Sequence, residues 1–205
     1  MMLRVSFAGP ADLPAAIAAA REALRAHGVI ALPTETFYGL GVDPRDATAV
    51  ERVFDLKGRP VEKALLVVGS SVEQLAALVD FPPVWGDRLA AAWPAPFSAV
   101  LPVRAPVAAG GATLAVRVPA YALLRGLLAR AGPLTATSAN RSGRPPCTSA
   151  DEVERELGEV ITLLLDGGRT PGGAASTLLD CTSDPPRVLR AGAWVPPADW
   201  RALGA

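Results

Sequence analysis

Helix-like and strand-like segments alternate along most of this 205-residue chain, and this alternation restricts its fold more than any other feature. Residues 13–27 are predicted to form a helix, because Asp12 can cap its first turn and Gly28 can end it. Further helices are predicted at 46–58, 71–79, 85–93, 121–132 and 149–158. The predicted strands are "VIALPT", "ALLVVG", "FSAVLPV", "TLAVRVP", "ITLLLD", "STLLDCT" and "PRVLRAG". Because strands this apolar need cover on both faces, the pattern predicts an α/β fold.

Composition and charge narrow the class of protein. Half of the residues are hydrophobic, which is enough for a substantial core, and we predict one domain over residues 1–205 with 193–205 as a short C-terminal tail. Twenty basic and twenty acidic residues cancel, which argues against a protein that coats nucleic acid through bulk attraction. Two distant cysteines, no leader-like start and no apolar run of about 20 residues predict a cytoplasmic protein without a membrane span.

The familiar catalytic motifs are missing from the sequence. It has no G-x-x-x-x-G-K-[ST] phosphate loop, no H-E-x-x-H and no G-x-S-x-G. Its single histidine, His27, falls at the end of the first predicted helix, where a cation or a donor to the last carbonyls is favoured. A Ser–His–Asp triad or a histidine-based zinc site is therefore a poor hypothesis.

Polar residues cluster instead around predicted strand ends, where open α/β sheets usually bind ligands. The cluster "PTETFYGLG" (33–41) follows a strand, and "KGRPVEK" (57–63) holds the only two lysines of the chain. Lys57 could simply favour the end of a helix, with Gly58 as its C-cap. Alternatively, Lys57, Arg59 and Lys63 could face one polyanion. If Lys57 and Arg59 are exposed, alanine at either position should change stability by less than about 1 kcal/mol.

Two more clusters carry hydroxyls and single cations. "TATSANRSG" (135–143) follows an apolar strand, and Arg190 follows Ser176 and Thr177 along the chain. Arg117 alternates with apolar neighbours, so it lies either at a sheet edge or paired inside a cleft. A cleft built from these cations and hydroxyls, almost without acids or bases, suits nucleotidyl or phosphoryl transfer.

These segments resemble the YrdC-type L-threonylcarbamoyladenylate synthases. The matching motifs are "PTETFYGLG", "KGRPVEKALLVV", "WPAPFSAVL", "LAVRVPA", "TSANRSGRP", "LLDGG", "STLLD" and "VLRAG", in the family's order over about residues 13–192. The resemblance implies the single-domain form of a YrdC-like α/β fold, a twisted mixed sheet with flanking helices around a concave basic cavity.

The resemblance also implies a reaction. L-threonine, bicarbonate and ATP, with Mg²⁺, would give threonylcarbamoyl-AMP and pyrophosphate. A threonylcarbamoyl transferase complex would then modify tRNA, with a possible weak tRNA contact by this chain. Lys57 and Arg59 are the implied catalytic residues. The implied threonine and ATP contacts are Thr34, Lys63, Thr113, Arg117, Ser138, Asn140, Ser176 and Arg190, and no protein metal ligand is implied.

The sequence also departs from the family pattern. Relatives often have histidine where Val68 stands, proline where Ala64 stands, serine where Pro146 stands, glutamate where Ala175 stands and "WPGPLT" where this chain has "WPAPFS". These differences leave two alternatives open: a nucleotide-binding paralogue with another acyl or carbamoyl substrate, or a module that binds RNA. Steep, salt-dependent retention on heparin would favour the RNA-binding alternative.

Overall fold

The computed structural model describes residues 2–58 and 64–200. In chain order its elements are β1 (Leu3–Ser6), α1 (Leu13–Arg25), β2 (Ile30–Pro33), β3 (Tyr38–Gly41), α2 (Ala47–Lys57), β4 (Val67–Val68), α3 (Val72–Leu75), α4 (Pro83–Ala92), β5 (Phe97–Pro102), β6 (Thr113–Arg117), α5 (Ala122–Ala131), β7 (Leu134–Thr135), β8 (Thr137–Ser138), α6 (Ala150–Leu157), β9 (Leu163–Asp166), β10 (Thr177–Asp180) and β11 (Arg187–Arg190).

The described strands form two mixed sheets, which confirms the predicted mixed α/β class. The first sheet has the order β1–β9–β2–β3–β8, with β9 parallel to both of its neighbours and β3 antiparallel to both of its own. The second has the order β11–β10–β5–β6–β4–β7, in which only the β10–β5 and β4–β6 pairs are parallel. The strands that the resemblance placed in one sheet are thus divided between two.

A short stretch of chain, residues 134–138, joins the two sheets. Its first half is β7, which pairs with β4, and its second half is β8, which pairs with β3. Thr135 is fully buried and bridges the sheets, since its Oγ1 donates to the Leu40 carbonyl (3.1 Å) and accepts from the Val42 N–H (3.0 Å). Polar groups buried here are therefore hydrogen-bonded, and they fix the sheets relative to one another.

Helices α1 and α5 pack together against the first sheet. The small residues Ala16 and Ala20, four apart on α1, are fully buried and let the helix approach its neighbours closely. Leu124 and Leu128 of α5 belong to the same core cluster, as do β2 and β9 side chains. A larger core around Phe54, Trp85 and Phe97 fills the rest of the molecule. Among the described helices, none is long and apolar enough to cross a membrane.

The sequence missed several short strands. β3 lies inside the polar "PTETFYGLG" cluster, and its two glycines are poor strand formers. It is nevertheless buried throughout, because it pairs with a strand on each side. The predicted strand 64–69 shrinks to Val67–Val68. Asp12 does not cap α1, since its carboxylate accepts from the backbone N–H groups of Ala8 and Gly9.

Asp46 caps α2 and holds the single histidine. One carboxylate oxygen accepts from the Ala49 N–H (3.1 Å), and the other lies 2.6 Å from Nδ1 of His27. The expectation that the His27 side chain serves the last carbonyls of α1 is therefore wrong. Burial raises the pKa of Asp46, but hydrogen bonds from His27 and Ala49 outweigh it, so the pKa lies below its usual value.

The depressed pKa gives Asp46 a pH-dependent contribution to stability. A carboxyl group whose pKa is lower in the folded chain stabilises above its unfolded value of about 3.9, and this contribution fades as the pH falls. Asp46→Ala is expected to lower the free energy of unfolding by about 1 kcal/mol at pH 7. In urea titrations the deficit should shrink below about pH 4. Asp55→Ala, at an exposed position of the same helix, is the control. A deficit that grows in acid would contradict the assignment.

The C-terminal segment that the sequence presents as a tail packs against the second sheet through residue 200. The Trp194 ring stacks on Phe97 with centroids 4.1 Å apart. Trp200 is buried and lies against Trp85, with ring centroids 5.5 Å apart. These aromatic contacts anchor the chain that follows Arg190.

Candidate active site

A cavity of about 520 Å³ is lined by residues from both sheets and from the 134–138 junction. Seven of the ten predicted site residues line it: Thr34, Lys57, Arg117, Ser138, Asn140, Ser176 and Arg190. They come from stretches of chain far apart in sequence, so the fold brings the predicted polar clusters together.

Three predicted site residues are not among those seven. Thr113 begins β6, and Arg117 ends it about 13 Å further along the strand. Of the two, the structure brings only Arg117 to the cavity. Arg59 and Lys63 lie outside the described residues.

Lys57 is held in place by several hydrogen bonds. It ends α2, and Gly58 follows in the left-handed conformation (φ 52°), as a C-cap requires. Its Nζ lies 2.8 Å from the Ser138 carbonyl, 2.9 Å from the Asn140 carbonyl and 2.7 Å from Asn140 Oδ1. Only 6% of Lys57 is exposed, so the premise of an exposed lysine is wrong. Helix capping alone does not account for this lysine, because it also fixes the "TSAN" segment.

Asn140 connects Lys57 to the loop that follows. Its Oδ1 accepts from Lys57 and from the Ser138 hydroxyl, and its Nδ2 donates to the carbonyls of Arg141 and Arg144. The side chain is therefore fixed at both ends. The same loop contributes Ser142, Gly143 and Pro146 to the cavity wall.

Arg117 lies in the interior of the second sheet, since β6 is bonded on both sides. Of the two hypotheses for this residue, pairing inside a cleft is the one observed. Its Nη1 lies 3.2 Å from Oε1 of Glu35, and only 3% of the residue is exposed. Burial lowers the pKa of Arg117; the Glu35 charge opposes that shift and the Arg190 charge adds to it.

The "PTET" turn is shaped by its first threonine. Thr34 Oγ1 donates to the Phe37 carbonyl (2.8 Å) and accepts from the backbone N–H groups of Thr36 and Phe37. Tyr38 donates its phenol to the Gly168 carbonyl (2.7 Å), and burial raises its pKa to about 12. Tyr38 therefore stays protonated at neutral pH, and its phenol holds this part of the cavity wall in place.

Ser176 and Arg190 meet in another part of the cavity wall. Arg190 donates from Nε (3.1 Å) and Nη2 (2.9 Å) to the Ser176 carbonyl. The Ser176 hydroxyl lies 3.4 Å from that of Ser98, a buried β5 residue that was not among the predicted site residues. Ser98 belongs to the motif "WPAPFS", which could have pointed to it. Its neighbours along the predicted strand are apolar, however, as they are at core positions.

The chain after Arg190 crosses directly over Ser176. The Ala193 N–H donates to the Ala175 carbonyl (2.9 Å), and Trp194 exchanges hydrogen bonds with the Thr177 hydroxyl. A Cβ at Gly192 would lie 2.1 Å from the Ala175 oxygen, so only glycine fits this crossing. Residues 190–194, here called the C-terminal strap, therefore fix the backbone of Ser176.

The lining supplies cations and hydroxyls. Lys57, Arg117 and Arg190 carry its positive charge, and no Asp or Glu of the described residues lines it. Within residues 2–58 and 64–200, no group of three His, Cys, Asp or Glu side chains could hold a metal ion. Such a site can neutralise and orient an anionic ligand, but it has no obvious general acid or base.

Comparisons with known proteins agree with this geometry. Residues 22–192 match the Sua5/YciO/YrdC family model, which carries the description "Telomere recombination". The chain is 40% identical over 175 residues to threonylcarbamoyl-AMP synthase of Pyrococcus abyssi, covering 82% of this chain and 52% of that protein. It is 43% identical over 164 residues to the Halorhodospira halophila enzyme, covering 77% and 86%.

The chain belongs to the Sua5/YciO/YrdC family. This confirms the resemblance drawn from the motifs, and the matched range contains all ten predicted site residues.

Solved structures of Sua5/YciO/YrdC proteins superimpose closely. Sua5 of P. abyssi complexed with L-threonine gives a TM-score of 0.81 at 37% identity, over 94% of this chain and 57% of that one. YciO of E. coli gives 0.81 at 25% identity, over 94% and 96%. The chain thus spans about half of the length of the P. abyssi protein but nearly all of YciO.

Proposed function

We propose that this chain is an L-threonylcarbamoyladenylate synthase, which joins L-threonine, bicarbonate and ATP into threonylcarbamoyl-AMP and releases pyrophosphate and water. The observation that carries the proposal is the identity of about 40% to enzymes of that name, over a range that includes every predicted site residue. The Sua5 structure complexed with L-threonine supports threonine as the amino acid.

The cavity fits the demands of this reaction. The carboxylate of a threonine carbamate must attack the α-phosphate of ATP while the triphosphate is held and neutralised. Lys57 would attract the phosphates through its charge and fix the Ser138–Asn140 segment beside them, since its three N–H groups already bind acceptors of Ser138 and Asn140. Arg117 and Arg190 would hold the carboxylate of the amino acid, with Thr34 and Ser176 at the pocket walls. Arg59 and Lys63 would add charge next to Lys57. No step needs a histidine.

Magnesium would arrive as part of the substrate MgATP. Mg²⁺ commonly keeps several waters and takes its other ligands from substrate phosphates. Among the described residues, the cavity wall offers hydroxyls and no carboxylate, which suits an ion carried by the nucleotide better than one held by the protein.

The wider role proposed is the supply of the activated threonylcarbamoyl group to a transferase complex that modifies tRNA, with a weak contact between this chain and the tRNA. We further propose that residues 1–205 act as one domain in the cytoplasm. Free, buried Cys147 and Cys181 suit a reducing compartment.

Pyrophosphate release tests the proposed activity. Purified protein with MgATP should release pyrophosphate only when L-threonine and bicarbonate are both present, because the nucleophile forms from those two. Omission of either component is the internal control, and mass spectrometry should find threonylcarbamoyl-AMP. Turnover that does not depend on threonine would contradict the proposal.

A diverged paralogue with another acyl or carbamoyl substrate remains the second candidate, and two observations favour it. Pro146 and Ala175, which stand where relatives often have serine and glutamate, both line the cavity. Val68, by contrast, is fully buried in the apolar core and does not line the cavity. Pyrophosphate release measured with and without threonine and bicarbonate would separate the two candidates, since turnover by a paralogue with another acyl or carbamoyl substrate would not depend on threonine.

A further inference from the structure

The buried pair Glu35–Arg117 has incomplete hydrogen bonding. Among the described residues, neither carboxylate oxygen of Glu35 accepts a hydrogen bond, and Nε of Arg117 donates none. All three atoms are buried, and the pair is joined by a single 3.2 Å approach between Nη1 and Oε1. An Arg–carboxylate pair at its best is bidentate, with two short parallel bonds. This one is therefore loosely made.

A loose buried ion pair needs an explanation, because it costs free energy. Removing a carboxylate and a guanidinium from water is repaid only when good geometry and further hydrogen bonds satisfy both groups. Unsatisfied buried polar groups are uncommon in folded proteins and often mark a ligand site. Three such atoms lie in this one pair beside the cavity.

Only one partner of the pair lines the cavity. Arg117 does, whereas Glu35 does not, although its neighbours Thr34 and Thr36 do. Both side chains are largely enclosed, with 4% of Arg117 and 13% of Glu35 exposed. The position of Glu35 is set by the turn that Thr34 Oγ1 closes onto Phe37.

A second arginine adds positive charge beside the Glu35–Arg117 pair. Arg190 lines the same cavity and is close enough for its charge to act on Arg117. Two arginines with one glutamate leave one positive charge, which a single ligand carboxylate would neutralise. This local group can therefore take one ligand carboxylate, while Lys57 of the same lining supplies a further positive charge for other anionic groups.

We propose that Glu35 is a positioning residue, an internal counterion that holds Arg117 in the absence of ligand and shares it with the substrate's α-carboxylate. The identity of the ligand as an amino acid rests on the proposed function. Because Glu35 already neutralises part of the charge of Arg117, Arg117 binds the α-carboxylate of a ligand less tightly. The adenylate product keeps this α-carboxylate, so its affinity is lowered as well. Glu35 therefore favours product release.

Glu35→Gln tests this idea, because it keeps the shape and removes the charge. Arg117 then lacks a counterion until a carboxylate ligand binds. The dissociation constant of L-threonine, measured by calorimetry without ATP, is expected to fall about tenfold, the size of a modest charge-pair coupling. In steady state, KM for threonine and kcat should both fall, as slow release predicts. A merely structural role would not tighten binding.

Three control variants keep the result interpretable. Glu35→Asp keeps the charge and should restore wild-type affinity for threonine. Glu51→Gln, at an exposed position of α2, should change nothing. Glu35→Gln combined with Arg117→Met removes both charges, so it should be more stable than the single variant and lose the tightened binding.

Unchanged or weaker threonine binding by folded Glu35→Gln would overturn the proposal. If Glu35→Gln does not fold, the double variant decides: a double variant that folds no better would also overturn it, because the pair would then be uncoupled. Failure of the wild-type protein to bind either L-threonine or acetate would also overturn the proposal. Threonine binding without pyrophosphate release would contradict the proposed function but not the proposed role of Glu35.

Discussion

Replacing Lys57 with methionine is expected to reduce pyrophosphate release at least about a hundredfold, the usual cost of losing one charge-stabilising donor. The same change should lower the free energy of unfolding by about 3 kcal/mol, since Nζ satisfies two backbone carbonyls and the Asn140 amide oxygen in a buried site. This replaces the expectation of less than about 1 kcal/mol that an exposed lysine would give.

Activity and stability must be measured separately for this variant. Pyrophosphate release should be assayed well below the melting temperature, and stability should be measured by urea titration. Arg25→Met, at an exposed position in the last turn of α1, is a matched removal of one cation and should be close to neutral. A Lys57→Met protein with full activity would contradict the proposed role of the Lys57 charge at the phosphates.

Gly192→Ala is expected to be the most damaging single-methyl change in the C-terminal strap. The added Cβ would lie 2.1 Å from the Ala175 oxygen, 2.6 Å from the Ser176 carbon and 2.7 Å from the Thr177 nitrogen. All three are backbone atoms that cannot move aside as a side chain can. We expect a loss of about 3 kcal/mol in stability, as severe overpacking gives. Activity should also fall, because Arg190 and Ser176 would separate.

Gly111→Ala is the matched control for this prediction. A Cβ at position 111 meets nothing within 4 Å. It should therefore leave melting temperature and activity close to wild type, whereas Gly192→Ala should lower the melting temperature by several degrees. Equal behaviour of the two variants would show that the strap is not tightly seated on residues 175–177.

The sequence predicted the α/β class and most helices, because these depend on local periodicity and caps. Ser71 and Ser149, for example, cap two of these helices by accepting hydrogen bonds from the N–H groups of Gln74 and Glu152. β3 and β8 could not be predicted, since strands this short are stabilised by partners distant in sequence. Pairing in three dimensions, and not propensity, makes them strands.

The residue types at the site could be predicted from the sequence, but how deeply each side chain is buried could not. Clusters at strand ends predicted a shared cleft, and seven residues meet there. What remained hidden was which cations are buried and what neutralises them. Lys57 looked like a surface residue at a helix end, and the link between Glu35 and Arg117 spans 82 positions. Such pairings depend on tertiary structure alone.

The junction at residues 134–138 has a consequence for how the protein can fail. Ser138 belongs to β8 of one sheet, lies three residues after β7 of the other, and also accepts a hydrogen bond from Lys57. The two sheets therefore cannot separate without breaking the contacts among Lys57, Ser138 and Asn140, where the phosphates are proposed to lie. Heat inactivation of this protein should accordingly coincide with separation of its two sheets, with no long-lived form that keeps its overall shape but has lost its pocket.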